Sequence, residues 1–202
     1  MRGRLIVVSG PSGAGKDTLI RATLDAIPEL ALIASATTRG PREGEIDGRD
    51  HVFLTREEFE RWIEEDRLLE WAEYSGNLYG TPKQSVEELL EKGRSVILRI
   101  ELQGARQVKE RRPDAVMVFV RAPSLEETRR RLESRATESS ASVESRMATA
   151  IKEIAARDEF DYEVVNGEYE QARADMIETL QRVVGKGADD ARAEDRRAAG
   201  RG

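Results

Sequence analysis

The stretch GPSGAGKDTL, residues 10–19, restricts the fold of this chain more than any other. Its glycines and lysine keep the spacing G-x-x-x-x-G-K, and it lies between the apolar run LIVVS (residues 5–9) and TLIRATLDAI, which has helical patterning. Strand, glycine loop and helix in that order are the context in which such a loop wraps a phosphate. Gly10, Gly13 and Gly15 let the backbone approach the anion, and the first turn of the helix turns its free N–H groups toward it. Lys16 adds a point charge that reaches the outer phosphates. Taken alone, the loop also reads as a glycine-rich turn with no ligand.

The rest of the chain follows the same rhythm. SVILRI (95–100) and AVMVFV (115–120) read as buried strands, YEVVN (162–166) as a shorter one. Helices lie between them: SVEELLEKG ends in a capping glycine, and SLEETRRRLESR opens with an S-x-x-E capping box. A last helix spaces apolar residues through Ala174, Ile177, Leu180 and Val184. The pattern predicts an α/β chain of the phosphate-loop NTPase type, a three-layer sandwich around a mostly parallel central sheet.

Two segments interrupt that core, which comprises residues 1–34, 83–125 and 150–185. Residues 35–82 are polar and hold most of the aromatics; residues 126–149 are arginine-rich. Both read as insertions that close over a site, the second as a small helical lid. The tail, 186–202, has little apolar content and is expected to be disordered.

Composition narrows the partners. There is no cysteine, which excludes disulfides, thiolate metal sites and cysteine nucleophiles and suits the cytoplasm. A net charge of −6 speaks against a nucleic-acid surface. No run approaches the roughly 18 apolar residues of a membrane span, so no membrane partner is expected. LIVVS is too short for a signal-peptide core. Of the 33 basic residues 27 are arginine, suited to bidentate grip on phosphate or carboxylate.

Asp17 stands where the loop motif has Ser or Thr to hold Mg²⁺. An acid in the first turn of a helix is favoured by the helix dipole. Facing a triphosphate it is repelled unless a cation lies between, and its hard oxygens suit Mg²⁺.

With these segments in view, the chain resembles the guanylate kinase family from about residue 5 to residue 184. The likeness rests on GPSGAGK, SATTRGPREGEIDGRD, LLEWAEYSGNLYGT, ELQGARQVK, APSLEETRRRLESRAT and DYEVVN, all in order. The resemblance implies phosphoryl transfer from ATP to GMP or dGMP with Mg²⁺ as cofactor, in a cytoplasmic monomer or homodimer. It places ATP on Gly10, Pro11, Ser12, Gly13, Ala14, Gly15, Lys16, Asp17 and Thr18, with Asn166 near adenine and ribose. It gives the GMP phosphate to Arg39, Arg42, His51 and Tyr79, and guanine to Ser35, Glu70, Thr81 and Glu101. A carboxylate suits guanine, which presents adjacent N1–H and N2–H₂ donors that adenine lacks. Lys16, Arg135 and Arg146 are the implied catalytic cations, with Arg131 near them; Arg129 and Arg130 read as a solvated helix face.

Four positions depart from the family pattern. Besides Asp17, His51 replaces a phosphate-binding tyrosine, and the family's D-I-D appears as Arg99-Ile100-Glu101. Glu101 keeps the carboxylate one methylene further out. A protonated His51 would add charge at the phosphate, so GMP binding is expected to weaken as pH rises through neutrality; an ordinary loop histidine is the alternative. Asp17 has gained an acid where position 99 has lost one. The two are expected to lie close, either as an ion pair beside the metal site or with Asp17 taking the metal-facing role. Two other functions stay open: a phosphate-loop kinase acting on a ribose bisphosphate, whose loop also reads GKD, and a non-catalytic interaction module of the same fold.

Overall fold

Strand β1 (Leu5–Ser9) is buried along its whole length, as a strand covered by helices on both faces must be. In the computed structural model, which describes residues 2–74, 76–134 and 140–199 and only the backbone of 140–142 and 186–199, β1 is the middle of a five-stranded sheet. The sheet order is β2-β7-β1-β8-β9, with β2 Leu30–Leu32, β7 Ser95–Arg99, β8 Val116–Arg121 and β9 Tyr162–Val165, and every pairing is parallel. The strands expected at 95–100, 115–120 and 162–166 are present, each shifted by no more than one residue at an end.

Side-chain alternation along β1 divides the core into two layers. Ile6 and Val8 face helices α1 (Lys16–Ala26) and α7 (Tyr169–Ala199), packing with Leu19, Ile20, Ala172, Met176 and Leu180. Leu5 and Val7 face α3 (Lys83–Glu91) and α4 (Leu102–Arg111), packing with Val86, Leu90, Ala105 and Val108. This is the three-layer α/β sandwich that the sequence implies. The order places β1 between β7 and β8, so the loops leaving β1 and β7 open a crevice at the carboxyl edge, where ligands bind in open α/β sheets.

Residues 35–82 fold into a second sheet, ordered β4-β3-β6-β5, from β3 (Ser35–Thr37), β4 (His51–Phe53), β5 (Leu68–Tyr74) and β6 (Asn77–Pro82). Helix α2 (Arg56–Glu64), started by a capping box between Thr55 and Glu58, covers it through the buried Phe59. Two helices, α5 (Leu125–Glu133) and α6 (Ser140–Ala155), pack through Leu132, Val143 and Met147. Helix α6 runs unbroken from the lid segment past residue 150 into the core.

The backbone of helix α7 continues to Ala199, and residues 200–202 of the tail lie outside the described residues. Among the described residues no helix is long and apolar enough to cross a membrane.

Candidate active site

The glycine loop takes the shape its sequence demands. Gly10 has φ +142°, and a Cβ there would lie 1.9 Å from the Val120 carbonyl oxygen of the neighbouring strand. Gly15, at φ +84°, precedes the first residue of α1, and a Cβ on it would meet the Asn166 amide at 2.2 Å. Any other residue at Gly10 would push the loop off the sheet, and one at Gly15 would be strained and would displace the Asn166 amide. Lys16 folds back on the loop: its Nζ donates to the carbonyls of Gly10 and, at 3.1 Å, Pro11. Burial pushes its ammonium below the ordinary lysine range, against the pull of Glu101, Glu153 and Asp17.

A cavity of about 650 Å³ opens over this loop, of a size that suits a nucleotide. Its wall takes residues 11–18, together with Arg99 and Glu101 from the end of β7 and Ser145, Arg146, Thr149 and Glu153 from α6. Gly10 lies behind the loop. Asn166 also lies off this wall: buried, it donates from Nδ2 to the Ala14 carbonyl at 2.8 Å, while its backbone carbonyl accepts from Arg131 at 2.8 Å. It fastens the loop from below. Arg129 and Arg130 pair with Glu144 and Glu127, and Arg131 shares Glu127. Arg135 lies outside the described residues.

Asp17 and Arg99 meet as the sequence leads one to expect. The Arg99 Nη1 donates to Asp17 Oδ1 at 2.7 Å across the mouth of the cavity. Position 99 is the last of β7, paired with Val8 two residues before the loop, so topology brings the two residues together. The ion-pair alternative is the one present. Both side chains are well exposed, so the pair adds little to stability; its effect falls on where the charges sit. Asp17→Ser and Arg99→Asp should each impair use of ATP severalfold, while the double variant should be less impaired than the two losses combined. Strictly additive effects on kcat/KM for ATP would show that the residues act independently.

A second cavity, about 260 Å³, shares Tyr74, Arg99, Ile100 and Glu101 with the first. Seven of the eight residues expected around an acceptor line it: Ser35, Arg39, Arg42, His51, Glu70, Tyr79 and Glu101. The eighth, Thr81, lies behind Glu70 and donates from its hydroxyl to Glu70 Oε1 at 2.6 Å. The pairing of β5 with β6 shifts register between Leu68 and Trp71, and that irregularity spans Glu70. Gly104 on α4 leaves it room, since a Cβ there would sit 2.3 Å from its carboxylate. Burial raises the Glu70 carboxyl to about 7, against the hydrogen bonds from Thr81.

The arginine end of this cavity is organised by a residue the sequence reading did not single out. Glu45 takes both Nη atoms of Arg39, at 3.0 and 2.9 Å, and the backbone N–H of Arg42 at 2.7 Å. That fork holds its carboxyl down at about 2. Glu153 and Tyr74 were missed as well. A signal for Glu153 existed: it follows Arg146 by seven residues, two helical turns, on the same face of α6.

His51 corrects one expectation. Its Nδ1 lies 2.9 Å from Ser35 Oγ and 3.2 Å from the Ser35 carbonyl. The carbonyl can only accept, so that contact suits a proton on Nδ1, while the Ser35 hydroxyl can serve either tautomer. Burial, with the charges of Arg39 and Arg99, holds the pKa of His51 below the ordinary histidine value of 6.5. Its pH sensitivity is thereby moved to lower pH than that of an ordinary histidine. Wild-type GMP affinity, divided by that of His51→Tyr, should decline as pH rises from about 5 to about 7 and then level off, because a phenol donates throughout. Superimposable profiles in a calorimetric titration would dispose of this role.

A glycine loop with a cavity above it, joined by a shared wall to a cavity that holds arginines and the buried Glu70 carboxyl, defines a phosphate-loop kinase. Comparison with known proteins narrows the class. The sequence profile of guanylate kinase matches residues 2–183. A guanylate kinase of Rubrobacter xylanophilus is 73% identical over 186 residues, 92% of this chain and 97% of that one. One from Synechocystis is 48% identical over 180 residues, covering 89% and 94%. Among solved structures, guanylate kinase from Anaplasma phagocytophilum superposes with a TM-score of 0.71 at 32% identity, covering 89% of this chain and 85% of that one. The chain belongs to the guanylate kinase family, and it is an enzyme.

Proposed function

We propose that the chain transfers the γ-phosphoryl group of ATP to GMP, and to dGMP, giving ADP and GDP. One observation carries this reading: the cavity over Lys16 and the cavity of Arg39 and Glu70 meet at Arg99, Ile100 and Glu101, so a donor in one and an acceptor in the other face each other. ATP lies along the loop, its phosphates cradled by the backbone N–H groups of residues 11–18. The GMP phosphate takes Arg39, Arg42 and Tyr79; guanine takes Glu70, Thr81, Ser35 and Glu101.

Transfer is direct and in line, with no covalent nucleophile on the protein. Lys16 leaves the Gly10 and Pro11 carbonyls for the outer phosphates, whose charge favours its ammonium form. Arg146, on the lid helix, neutralises the group in transit, as does Arg135. Closure of the lid and the small sheet excludes water.

Mg²⁺ fits the donor set only as a rider on ATP. Among the described residues no three His, Asp or Glu side chains form a cage, whereas Asp17 offers a hard oxygen beside Lys16. When bound, the ion neutralises charge on the transferring phosphates.

The test is ADP release with GMP, dGMP, AMP, UMP and a ribose bisphosphate as acceptors. Release with the guanine nucleotides alone is the expected result. Release with the ribose bisphosphate would favour the sugar-phosphate kinase, and none with any acceptor would favour an interaction module.

A further inference from the structure

Glu153 is a carboxyl group for which the transfer reaction, as described, has no use. It stands near the end of α6, is 6% exposed, and lines the donor cavity with Lys16. Glu101 lines the same cavity, within hydrogen-bonding reach of the Glu153 carboxyl; it stands at the N-cap position of α4, makes no side-chain cap bond there, and lies on the wall common to both cavities. Two carboxylates cannot bond to each other without a proton between them. The other charged or titratable groups on that wall are Lys16 and Asp17 from α1, Arg99 from β7, Tyr74 from β5 and Arg146 from α6 itself.

We propose that Glu153 is a positioning residue for guanine recognition: as a neutral carboxylic acid it donates to one oxygen of Glu101, leaving the other oxygen to accept from the exocyclic N2–H₂ of guanine. The proposal rests on Glu101 reading guanine. It accounts for the extra methylene at position 101, which carries the carboxylate outward to a partner on the lid helix. The contact joins acceptor recognition to the element that bears Arg146. Burial and Glu101 together raise the Glu153 carboxyl to about 8, so it keeps its proton at neutral pH. Lys16 pulls the other way, but its ammonium is engaged by the loop carbonyls.

The sign of the pH effect follows. Above about pH 8 Glu153 ionises, the donated hydrogen bond is lost, and two like charges face each other, so GMP should bind more weakly. The experiment is calorimetric titration of GMP and of ATP at about pH 7 and about pH 9 on the wild type, Glu153→Gln, Glu153→Leu and Glu101→Ala. Gln still donates from its amide and has no proton to lose: its GMP affinity at the lower pH should match wild type, and its extra weakening at the higher pH should vanish. Weakening from ionisation of guanine itself is common to both proteins and cancels in the comparison. Leu packs but cannot donate, and should weaken GMP about tenfold while ATP affinity and melting temperature hold.

Wild-type GMP affinity in Glu153→Leu, or an unchanged alkaline loss in Glu153→Gln, overturns the proposal. So does tighter ATP binding in Glu153→Gln, which would mean that Glu153 is an anion paired with Lys16. If Glu101→Ala leaves GMP affinity intact, the guanine-reading role of Glu101 fails instead.

Discussion

Lys16→Met is expected to lower kcat by about 10³-fold while the melting temperature holds. Nothing in the fold depends on the ammonium: its partners are the Gly10 and Pro11 carbonyls, at the edge of an open cavity. What the substitution removes is the cation of the loop itself, leaving the backbone N–H groups and the lid arginines to meet the phosphates. Burial disfavours the ammonium, so a phosphate beside it relieves part of that cost. ADP release at saturating ATP and GMP measures the loss. A variant retaining a tenth of wild-type kcat would mean that the loop N–H groups and lid arginines suffice.

Glu70→Gln should cost about 10²- to 10³-fold in kcat/KM for GMP, with ATP affinity unchanged. The amide cannot accept from N1–H and N2–H₂ together. Two signs of pH dependence accompany it. The carboxyl titrates at about 7 in the empty site and must be ionised to accept from guanine, so the Glu70 contribution to GMP affinity grows as pH rises through about 7; the Gln variant should lack that rise. Stability runs the other way. The folded pKa lies above the unfolded one, so between them the native state holds a proton that the unfolded chain has released, and stability falls as pH climbs through that interval. Glu70→Gln should therefore melt higher than wild type at about pH 8 and equally at about pH 4. Equal melting at both would place a normal carboxyl at position 70.

These results mark how far the sequence could be read. Strands β1, β7 and β8 were legible because strands buried on both faces are uninterrupted apolar runs, as in LIVVS and AVMVFV. The small sheet was not: β3 and β4 are three residues each, too short to show a period, and what fixes their faces is Phe59 from α2. The facing of Asp17 and Arg99 was legible from the family pattern, which marks position 99 as a lost acid, together with loop logic, since one follows the lysine and the other ends a core strand. Glu153 and Glu45 were not found because each acts through another functional residue, and a motif names the residue that touches the ligand.

The phosphate loop is held by residues far along the sequence from it. Asn166 bonds to Ala14 from 152 residues away, and Ile6, Val8, Leu19 and Ile20 are roofed by Ala172, Met176 and Leu180 on the final helix. A growing chain that ends before residue 166 carries the complete loop sequence with its underside unfastened and its first helix half uncovered. The loop thus gains its support only once residues 166–183 are made, and the same dependence makes deletions that reach into them as damaging to the loop as substitutions within it.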